Sequence, residues 1–319
     1  MPASLAAALS RLVEGESRAA LRERARAISD NYRARRVTAD AIRCADDALA
    51  YALARAPATY AAAAAALGRL AEENPDFAPK SLVDLGCGPG VAGIAAREVW
   101  PGLARATLVD RSREFLALAR ELADGDVVEA DLTRLPPLEP ADLVVAAYAF
   151  TELADADLPA FIDAAFAATA GVLVLIEPGT PRDHARLMAA RARLLSQGGV
   201  VLAPCSHDAP CPLVAPDWCH FSVRLPRLRD HKLLKDGDAP FEDEKFSYLA
   251  VARAGGAPRP GFARIVARAK RQKHAICFTL CHNGGITRTS VAKRDTSAWR
   301  GLRKVDWGDR IAASPEEAP

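Results

Sequence analysis

Short apolar runs that end in an acid or a glycine recur through the middle of the chain. The first contains Leu82, Val83 and Leu85, and the letters LVDLGCGPG continue it into glycines at alternate positions. An apolar run of this length predicts a buried strand, and such glycines predict a tight turn whose backbone can approach a ligand closely. Because residues 91–99 have helical periodicity, we expect the first βα unit of a nucleotide-binding sheet, with the ligand at the carboxyl end of the strand.

Four further apolar runs follow in order, at residues 106–110, 127–131, 142–147 and 172–177. The ordered series resembles the seven-stranded S-adenosylmethionine-dependent methyltransferases more than the dinucleotide dehydrogenases, because the pattern acid-x-Gly-x-Gly-x-Gly spaces its last glycine one residue earlier. The expected fold class is α/β, a seven-stranded Rossmann-like methyltransferase sheet. In addition to this sheet, we expect an N-terminal helical region, a cysteine-rich metal loop and a small basic C-terminal β unit.

Acidic residues at the strand ends predict how a nucleoside cofactor is held. Asp110 lies twenty residues beyond the last glycine of the turn, where a carboxylate can accept the two ribose hydroxyls. Asp131 ends the third strand and is placed to face an adenine amino group. Tyr148 follows the fourth strand and either lines the cofactor pocket or packs in the core. The candidate cofactor-binding residues are Asp84, Gly86, Gly88, Gly90, Asp110, Asp131 and Tyr148.

No residue after the fourth strand is identified as a catalytic base. Enzymes that methylate an exocyclic amine of a base usually carry Asp or Asn, then Pro-Pro and an aromatic residue, at this point. The letters here are YAFTEL, residues 148–153, which contain no such motif. The sequence therefore leaves the catalytic residues unknown and the enzymatic activity open.

Helical periodicity dominates the N-terminal part of the chain. It predicts helices over residues 17–36, 38–55 and 59–73, with an interruption at Pro57. The expected division is an N-terminal helical region at 1–76, a methyltransferase-like core at 77–254 with its cysteine loop at 200–222, a basic β unit at 255–311 and a disordered tail at 312–319.

The net charge of +2 conceals a strong asymmetry. Residues 1–222 carry 22 Lys and Arg against 29 Asp and Glu, whereas residues 223–310 carry 20 against 9. A basic C-terminal third on a nearly neutral chain is either a solvated charged face or a surface for phosphates. Strand-like runs with Trp299 and Trp307 nearby favour RNA.

Composition also bounds the compartment. No apolar run reaches membrane-spanning length, and Glu14, Glu16 and Glu23 among the first arginines argue against a secretory signal or a transit peptide. We therefore expect a monomeric protein of the bacterial cytoplasm without a membrane segment. In such a compartment the seven cysteines are expected to be buried thiols or metal ligands rather than disulfides.

Cys205, Cys211 and Cys219 lie in a proline-rich stretch that has neither helical nor strand periodicity, with His207 and His220 beside them. Three soft ligands in an irregular loop favour a metal site, because a loop rarely buries three thiols for packing alone. The letters DAPC, residues 208–211, also resemble the nucleophile segment of RNA cytosine-5 methyltransferases. In those enzymes the segment follows the fourth strand, whereas here it follows the fifth.

Three sequence motifs resemble those of the small-ribosomal-subunit-associated, methyltransferase-like proteins of mitochondria and many bacteria. They are CSHDAPCP at 205–212, WCHFS at 218–222 and EDEKFSYL at 242–249. The resemblance covers the cysteine loop through Arg253 closely and the cofactor half in outline. It implies a [4Fe-4S] cluster held by four cysteines. By this resemblance Cys205, Cys211 and Cys219 supply three of the ligands. The fourth ligand is either Cys277 or Cys281, and the matching motif of the family, which ends in Leu-Cys, favours Cys281. A four-cysteine zinc site stays open as the alternative.

The resemblance also implies a function. By this resemblance we expect a methyltransferase-like protein that binds S-adenosylmethionine, contains an iron-sulfur cluster and acts on small-subunit ribosomal RNA or in small-subunit assembly. The alternatives are a non-catalytic assembly factor that binds ribosomal RNA, and a small-molecule methyltransferase with a zinc-stabilised lid.

The C-terminal unit is expected to present cations to RNA. Alternation predicts strands at 262–269, 275–281 and 286–292, with a hairpin turn at Asn283, Gly284 and Gly285, and residues 246–252 predict a strand that completes the main sheet. The cations expected on the RNA-facing surface are Arg264, Arg268, Lys270, Arg271, Lys273, Arg288, Lys293 and Arg294.

Overall fold

The computed structural model describes residues 1–33, 38–227, 231–232, 239–253, 261–283 and 285–312. The helices are α1 Ala3–Leu12, α2 Arg18–Arg33, α3 Ala45–Glu73, α4 Val91–Val99, α5 Arg113–Leu122, α6 Leu158–Ala167, α7 Pro181–Ser196 and α8 Thr296–Leu302. The strands are β1 Ser81–Leu85, β2 Arg105–Asp110, β3 Asp126–Glu129, β4 Ala141–Ala147, β5 Thr169–Pro178, β6 Val200–Ala203, β7 Phe221–Pro226, β8 Phe241–Ala252, β9 Phe262–Ile265, β10 Lys270–Arg271, β11 Ala275–His282, β12 Gly285–Ala292 and β13 Arg310–Ala312.

The main sheet has the order β3-β2-β1-β4-β5-β8-β6, with β7 paired to β8. Strands β1 to β5 are parallel, and β8 runs antiparallel to them. The expected α/β methyltransferase-type sheet is confirmed in these seven positions. β7 is an eighth strand, and it has room because β8 is twelve residues long: β7 pairs with its first half and β6 with its last residues.

Chain order reverses at β1, which has β2 on one side and β4 on the other. At such a switch point the loops after neighbouring strands diverge and leave a crevice at the carboxyl ends. The near-continuous apolar letters of β4 and β5 agree with this arrangement, because both strands are covered on both faces. The fold therefore places the glycine turn at the mouth of a crevice.

The N-terminal helices differ from the sequence prediction at Pro57. That proline lies inside α3, which continues for 29 residues, and the predicted helix over 38–55 is replaced by a 3-10 turn, Thr38–Ala41, followed by the start of α3. An interior proline costs a helix about 3 kcal/mol. The residues on either side, Ala56 and Ala58, are fully buried, so packing of this small-residue face against the core outweighs that cost.

A second sheet forms the C-terminal unit, in the order β10-β11-β9-β13 with β12 on the other edge of β11. Its separate small core contains Ile265, Ile276 and Phe278, with Trp299 and Leu302 of α8 packed against them. The predicted strand over 262–269 ends at Ile265, where the chain leaves the sheet. Ala312, the first residue of the predicted disordered tail, is instead the last residue of β13. Residues 254–260, Gly284 of the predicted hairpin turn and residues 313–319 of the predicted tail lie outside the described residues.

Candidate functional site

The glycine turn after β1 has the backbone that its sequence predicts. Gly86, Gly88 and Gly90 have φ angles of 70°, 52° and 78°, in the left-handed region that favours glycine. A Cβ atom at Gly86 would lie 2.6 Å from the Cβ of Ala149, and one at Gly90 would lie 2.8 Å from the Cβ of Ala123. The turn therefore needs glycine for both conformation and space.

A cavity of about 550 Å³ opens in front of this turn. Five of the seven predicted cofactor residues line it: Gly86, Gly88, Asp110, Asp131 and Tyr148. Asp84 and Gly90 do not line the cavity. The N-terminal region contributes Thr38 and Tyr51 to the wall.

Asp110 organises the turn through its carboxylate. Its Oδ2 accepts a hydrogen bond from the backbone N–H of Gly88 at 2.9 Å, and its Oδ1 accepts one from that of Ser112 at 2.9 Å. The side chain is 8% exposed, and burial raises its pKa. The carboxylate therefore lies ordered in the cavity wall, and its role towards ribose hydroxyls stays a prediction.

The structure places Asp84 and Asp131 differently with respect to the cavity. Asp84 is 1% exposed, its Oδ2 accepts from the N–H of Gly93 at 3.1 Å, and burial raises its pKa to about 7, so it anchors the start of α4 from behind the turn. Asp131 lies at the cavity rim, where its Oδ1 accepts from the backbone N–H of Thr133 at 2.8 Å. That hydrogen bond lowers the pKa of Asp131.

Tyr148 combines both roles that the sequence left open. It lines the cavity, and its ring is buried under the guanidinium of Arg55, 5.7 Å from the ring centroid. Its hydroxyl donates to Oε1 of Glu244 at 2.8 Å, which Arg55 also contacts at 3.3 Å. The φ angle of Tyr148 is 58°, a strained value for a non-glycine residue that is typical of functional positions.

Glu152 was not identified from the sequence, yet its carboxyl lies in the cavity wall. It accepts hydrogen bonds from the backbone N–H of Thr38, at 2.9 Å, and from the Thr38 hydroxyl. Burial raises its pKa to about 7. Because Arg111 also pairs with Asp40, the turn Thr38–Ala41 closes over this side of the cavity. No local pattern signals a contact that joins residues 114 positions apart.

Most of the acidic residues at the start of β8 form ion pairs. Asp243 makes a two-pronged contact with Arg224, at 2.7 and 2.8 Å, and Glu242 pairs with Arg227 at 3.2 Å. The remaining acid, Glu244, faces Tyr148 as described above. This acidic segment therefore joins β7 to β8 and supports the wall of the cavity in front of the glycine turn.

Four cysteines from two parts of the chain line a second cavity: Cys205, Cys211, Cys219 and Cys281. The Sγ of Cys281 lies 3.6 Å from Nε2 of His207. Cys277 does not line this cavity; it is half-buried on β11 opposite Ser290. Within the described residues no group of three or more His, Cys, Asp and Glu has the arrangement of metal ligands, so the four thiols share a cavity without closing on a common point.

The cavity imposes a strong electrostatic penalty on thiolates. Burial raises the pKa of Cys205, raises that of Cys281 to about 12 and raises that of Cys219 well above its ordinary value, and the neighbouring cysteines add to each shift. Arg264, which is 2% exposed and also lines the cavity, acts in the opposite direction. The whole cavity has a volume of about 20 Å³.

Arg264 corrects one expectation about the basic unit. It does not face RNA: its guanidinium contacts Glu73 at 2.7 Å, the carbonyl of Pro204 at 2.9 Å and the carbonyl of Gly308 at 3.0 Å. Arg271 is likewise engaged, with Asp306 at 3.0 Å. Arg264 therefore ties the C-terminal unit to α3 and to the cysteine loop.

Comparison with known protein families gives one extensive match. The model of a family described as "Mitochondrial small ribosomal subunit Rsm22" matches residues 45–312. The human protein "Ribosome assembly protein METTL17, mitochondrial" is 30% identical over 287 residues, which is 82% of this chain and 62% of the human protein. The chain thus spans less than two thirds of that relative.

Other likenesses are shorter or more distant. Trans-aconitate 2-methyltransferase of Klebsiella pneumoniae (strain 342) is 41% identical over 75 residues, 23% of this chain and 29% of the enzyme. Among solved structures, the DhpI complex with SAH has a TM-score of 0.40 at 20% identity and covers 65% of this chain and 91% of DhpI. The SAM complex of magnesium protoporphyrin IX methyltransferase from Synechocystis PCC 6803 has a TM-score of 0.37 at 14% identity, covering 59% and 76%.

These matches contradict the prediction of a bacterial cytoplasmic protein, because the family description and the human relative's name are both mitochondrial. Among the described residues, no helix is long and apolar enough to cross a membrane.

Proposed function

Because this chain belongs to the Rsm22 family of mitochondrial small ribosomal subunit proteins, we propose that it is an S-adenosylmethionine-binding, methyltransferase-like factor in assembly of the small ribosomal subunit. The observation that carries the proposal is the combination of two units in one chain. A nucleoside-type cavity lies in the core, and a basic sheet is fastened to that core at the cysteine cavity.

The cavity supports the cofactor through its shape and charge. The glycine turn lets backbone approach the ligand, and Asp110 is set to accept ribose hydroxyls. Several carboxyl groups line the remainder, among them Glu152, Asp155 and Asp157. Such a lining favours a cationic ligand, and a sulfonium is a cation.

The cysteine cavity supports a [4Fe-4S] cluster by its donor chemistry. Cys205, Cys211, Cys219 and Cys281 would hold it, and four thiols with no carboxylate in the lining suit all-thiolate ligation. A bound cluster supplies a covalent link between the cysteine loop and β11. The deprotonation that burial disfavours is then offset by the metal's positive charge. Zinc is the alternative outcome of a metal analysis.

Small-subunit ribosomal RNA is the proposed partner of the basic unit. Its exposed cations include Lys270, Lys273 and Arg288, none of which has an ion-pair partner among the described residues. Cations of this kind gain affinity by displacing counterions from phosphates.

An assembly role is favoured over methyl transfer by the loop after β4. Residues 148–153 hold no amine-binding motif, and Glu152, the acid they contribute to the cavity, receives two hydrogen bonds from Thr38. An active ribosomal RNA methyltransferase is the second candidate, since an ordered cofactor cavity is what such an enzyme also requires.

Two measurements test the proposal. The first is calorimetric titration of the purified full chain with S-adenosylmethionine, where we expect one site per chain. The second compares small-subunit particles and ribosomal RNA methylation in cells with and without the protein. We expect crosslinks to small-subunit RNA, fewer mature subunits and an unchanged methylation map. Loss of one methylated nucleotide would establish the enzyme instead, and absence of crosslinks would reject both ribosomal functions.

A further inference from the structure

The open face of the C-terminal sheet is defined by its strand register. In antiparallel pairs, residues directly opposite each other point to the same side. Lys270, Cys277 and Ser290 form one such row across β10, β11 and β12, and Thr279 and Arg288 form the next. We call these five residues the polar face. The alternate residues of β11, such as Phe278, are buried in the unit's own core on the other side.

Other cations of the sheet are used in the fold. Arg271 points away from the polar face and pairs with Asp306. Arg310 lies on the side of the polar face, next to the core, and pairs with Glu73. Lys270 and Arg288 are exposed and have no ion-pair partner among the described residues. The polar face contains no acidic residue, so its positive potential is not neutralised locally.

The side chains between Lys270 and Arg288 on the polar face are short and polar. Thr279 and Ser290 offer hydroxyl groups, and the polar face has no aromatic side chain. Proteins that bind single-stranded RNA stack its bases on exposed aromatic residues, whereas duplex RNA is recognised through phosphates and 2′-hydroxyls. Lys270 and Arg288 stand on strands about 10 Å apart, with β11 between them, so they can reach separate phosphates.

We propose that the polar face binds the sugar–phosphate backbone of double-helical RNA. This inference rests on the proposed ribosomal function and narrows it to one surface and one form of RNA. Lys273 and Lys293 lie at the end of the same sheet, where backbone groups of Lys293 and His274 are joined at 2.8 Å, and they extend the positive surface along the duplex.

The test uses the full chain and fluorescently labelled RNA of one length, as a stable hairpin duplex and as an unpaired strand. The variant is K270E/R288E. The matched control is R300E, which reverses an exposed charge on α8, the helix that covers the opposite side of the sheet. We expect the wild-type chain to bind the duplex at least ten-fold more tightly than the strand. We also expect K270E/R288E to weaken duplex binding at least ten-fold and to lower the salt slope by about two.

Cys277 provides a second, local readout because it lies in the middle of the polar face. Duplex RNA is expected to slow alkylation of Cys277 by iodoacetamide at least five-fold and to leave that of Cys44, on the N-terminal region, unchanged. Equal affinity for strand and duplex, equal loss in R300E, or unprotected Cys277 would each overturn the inference. If the chain still crosslinks to small-subunit RNA in cells, the proposed function survives that result.

Discussion

At the scale of single residues, two buried carboxyls at the glycine turn serve different ends. Asp110 faces the cavity and receives hydrogen bonds from Gly88 and Ser112, whereas Asp84 lies behind the turn and receives one from Gly93. Their letters are equivalent, an acid at the end of an apolar run. Only the three-dimensional position separates the carboxylate at the cavity from the one behind the turn.

Asp110→Ala is expected to weaken binding of S-adenosylhomocysteine by about ten- to a hundred-fold, because a hydrogen bond to a charged group contributes about 1.5–3 kcal/mol. Isothermal titration calorimetry measures the change. Asp126→Ala, an exposed acid on β3, is the matched control and should leave the affinity within two-fold. Equal affinities of the Asp110 variant and the wild type would remove this residue from the cofactor site.

Asp84 predicts a pH dependence of stability. Its folded pKa of about 7 lies above the unfolded value of about 4, so between these values the folded chain retains a proton that the unfolded chain has released. Its contribution is complete below about pH 4 and is lost as the pH rises towards 7. In Asp84→Asn the free energy of unfolding should therefore fall less between pH 5 and 7, by about 1.4 kcal/mol per pH unit. Urea titrations across this range would contradict the assignment if both curves are parallel.

Local sequence could predict the glycine turn and an acid at Asp110, because both depend on spacing, whereas the set of four cysteines that shares a cavity was implied by the family resemblance. It could not predict Glu152 or the partner of Tyr148. Thr38 and Glu152 are 114 positions apart, and Tyr148 and Glu244 are 96 apart, so neither contact has a periodic signature. The alternation of side chains along a strand could not decide between Cys277 and Cys281, because both point to one side of β11. Only Cys281 lines the cysteine cavity.

At the scale of elements, tertiary packing corrected two boundaries. Pro57 predicted a break, but the alanine-rich face of α3 is buried on both sides of it, and the helix continues. β8 begins five residues before the predicted strand because those residues pair with β7, and Asp243 contacts Arg224 of that strand. In each case the local signal was correct about the residue and wrong about the length of the element.

Arg264 is the contact through which β9 holds the core, and its removal has a predictable cost. Arg264→Ala removes the nearer of the two cations that contact the buried carboxylate of Glu73 and leaves Arg310 as the other, so we expect the free energy of unfolding to fall by about 1.5–3 kcal/mol. Arg300→Ala, an exposed cation of the same unit, should change it by less than about 0.5 kcal/mol. Urea denaturation compares them. A loss below about 1 kcal/mol in Arg264→Ala would show that other contacts fasten the unit.

At the scale of the whole molecule, β8 connects the two cavities. Glu244 contacts Tyr148 at the cavity in front of the glycine turn. Ser247 donates to the carbonyl of Cys219 at 2.8 Å, and Tyr248 lines the cysteine cavity. The C-terminal unit meets the same place through Cys281 and Arg264. The protein therefore consists of a methyltransferase-type core and a basic sheet that meet at the cysteine cavity, where Arg264 pairs with Glu73.

Metal analysis of the full chain, purified without oxygen, tests that joint directly. We predict about four iron and four labile sulfide per chain in the wild type and in Cys277→Ser, and loss of both in Cys281→Ser. The Cys277 variant is the matched control, because it removes a thiol from the same face of the same strand. Iron that persists in Cys281→Ser, or a wild-type chain that carries zinc or no metal, would contradict a cluster held by these four cysteines.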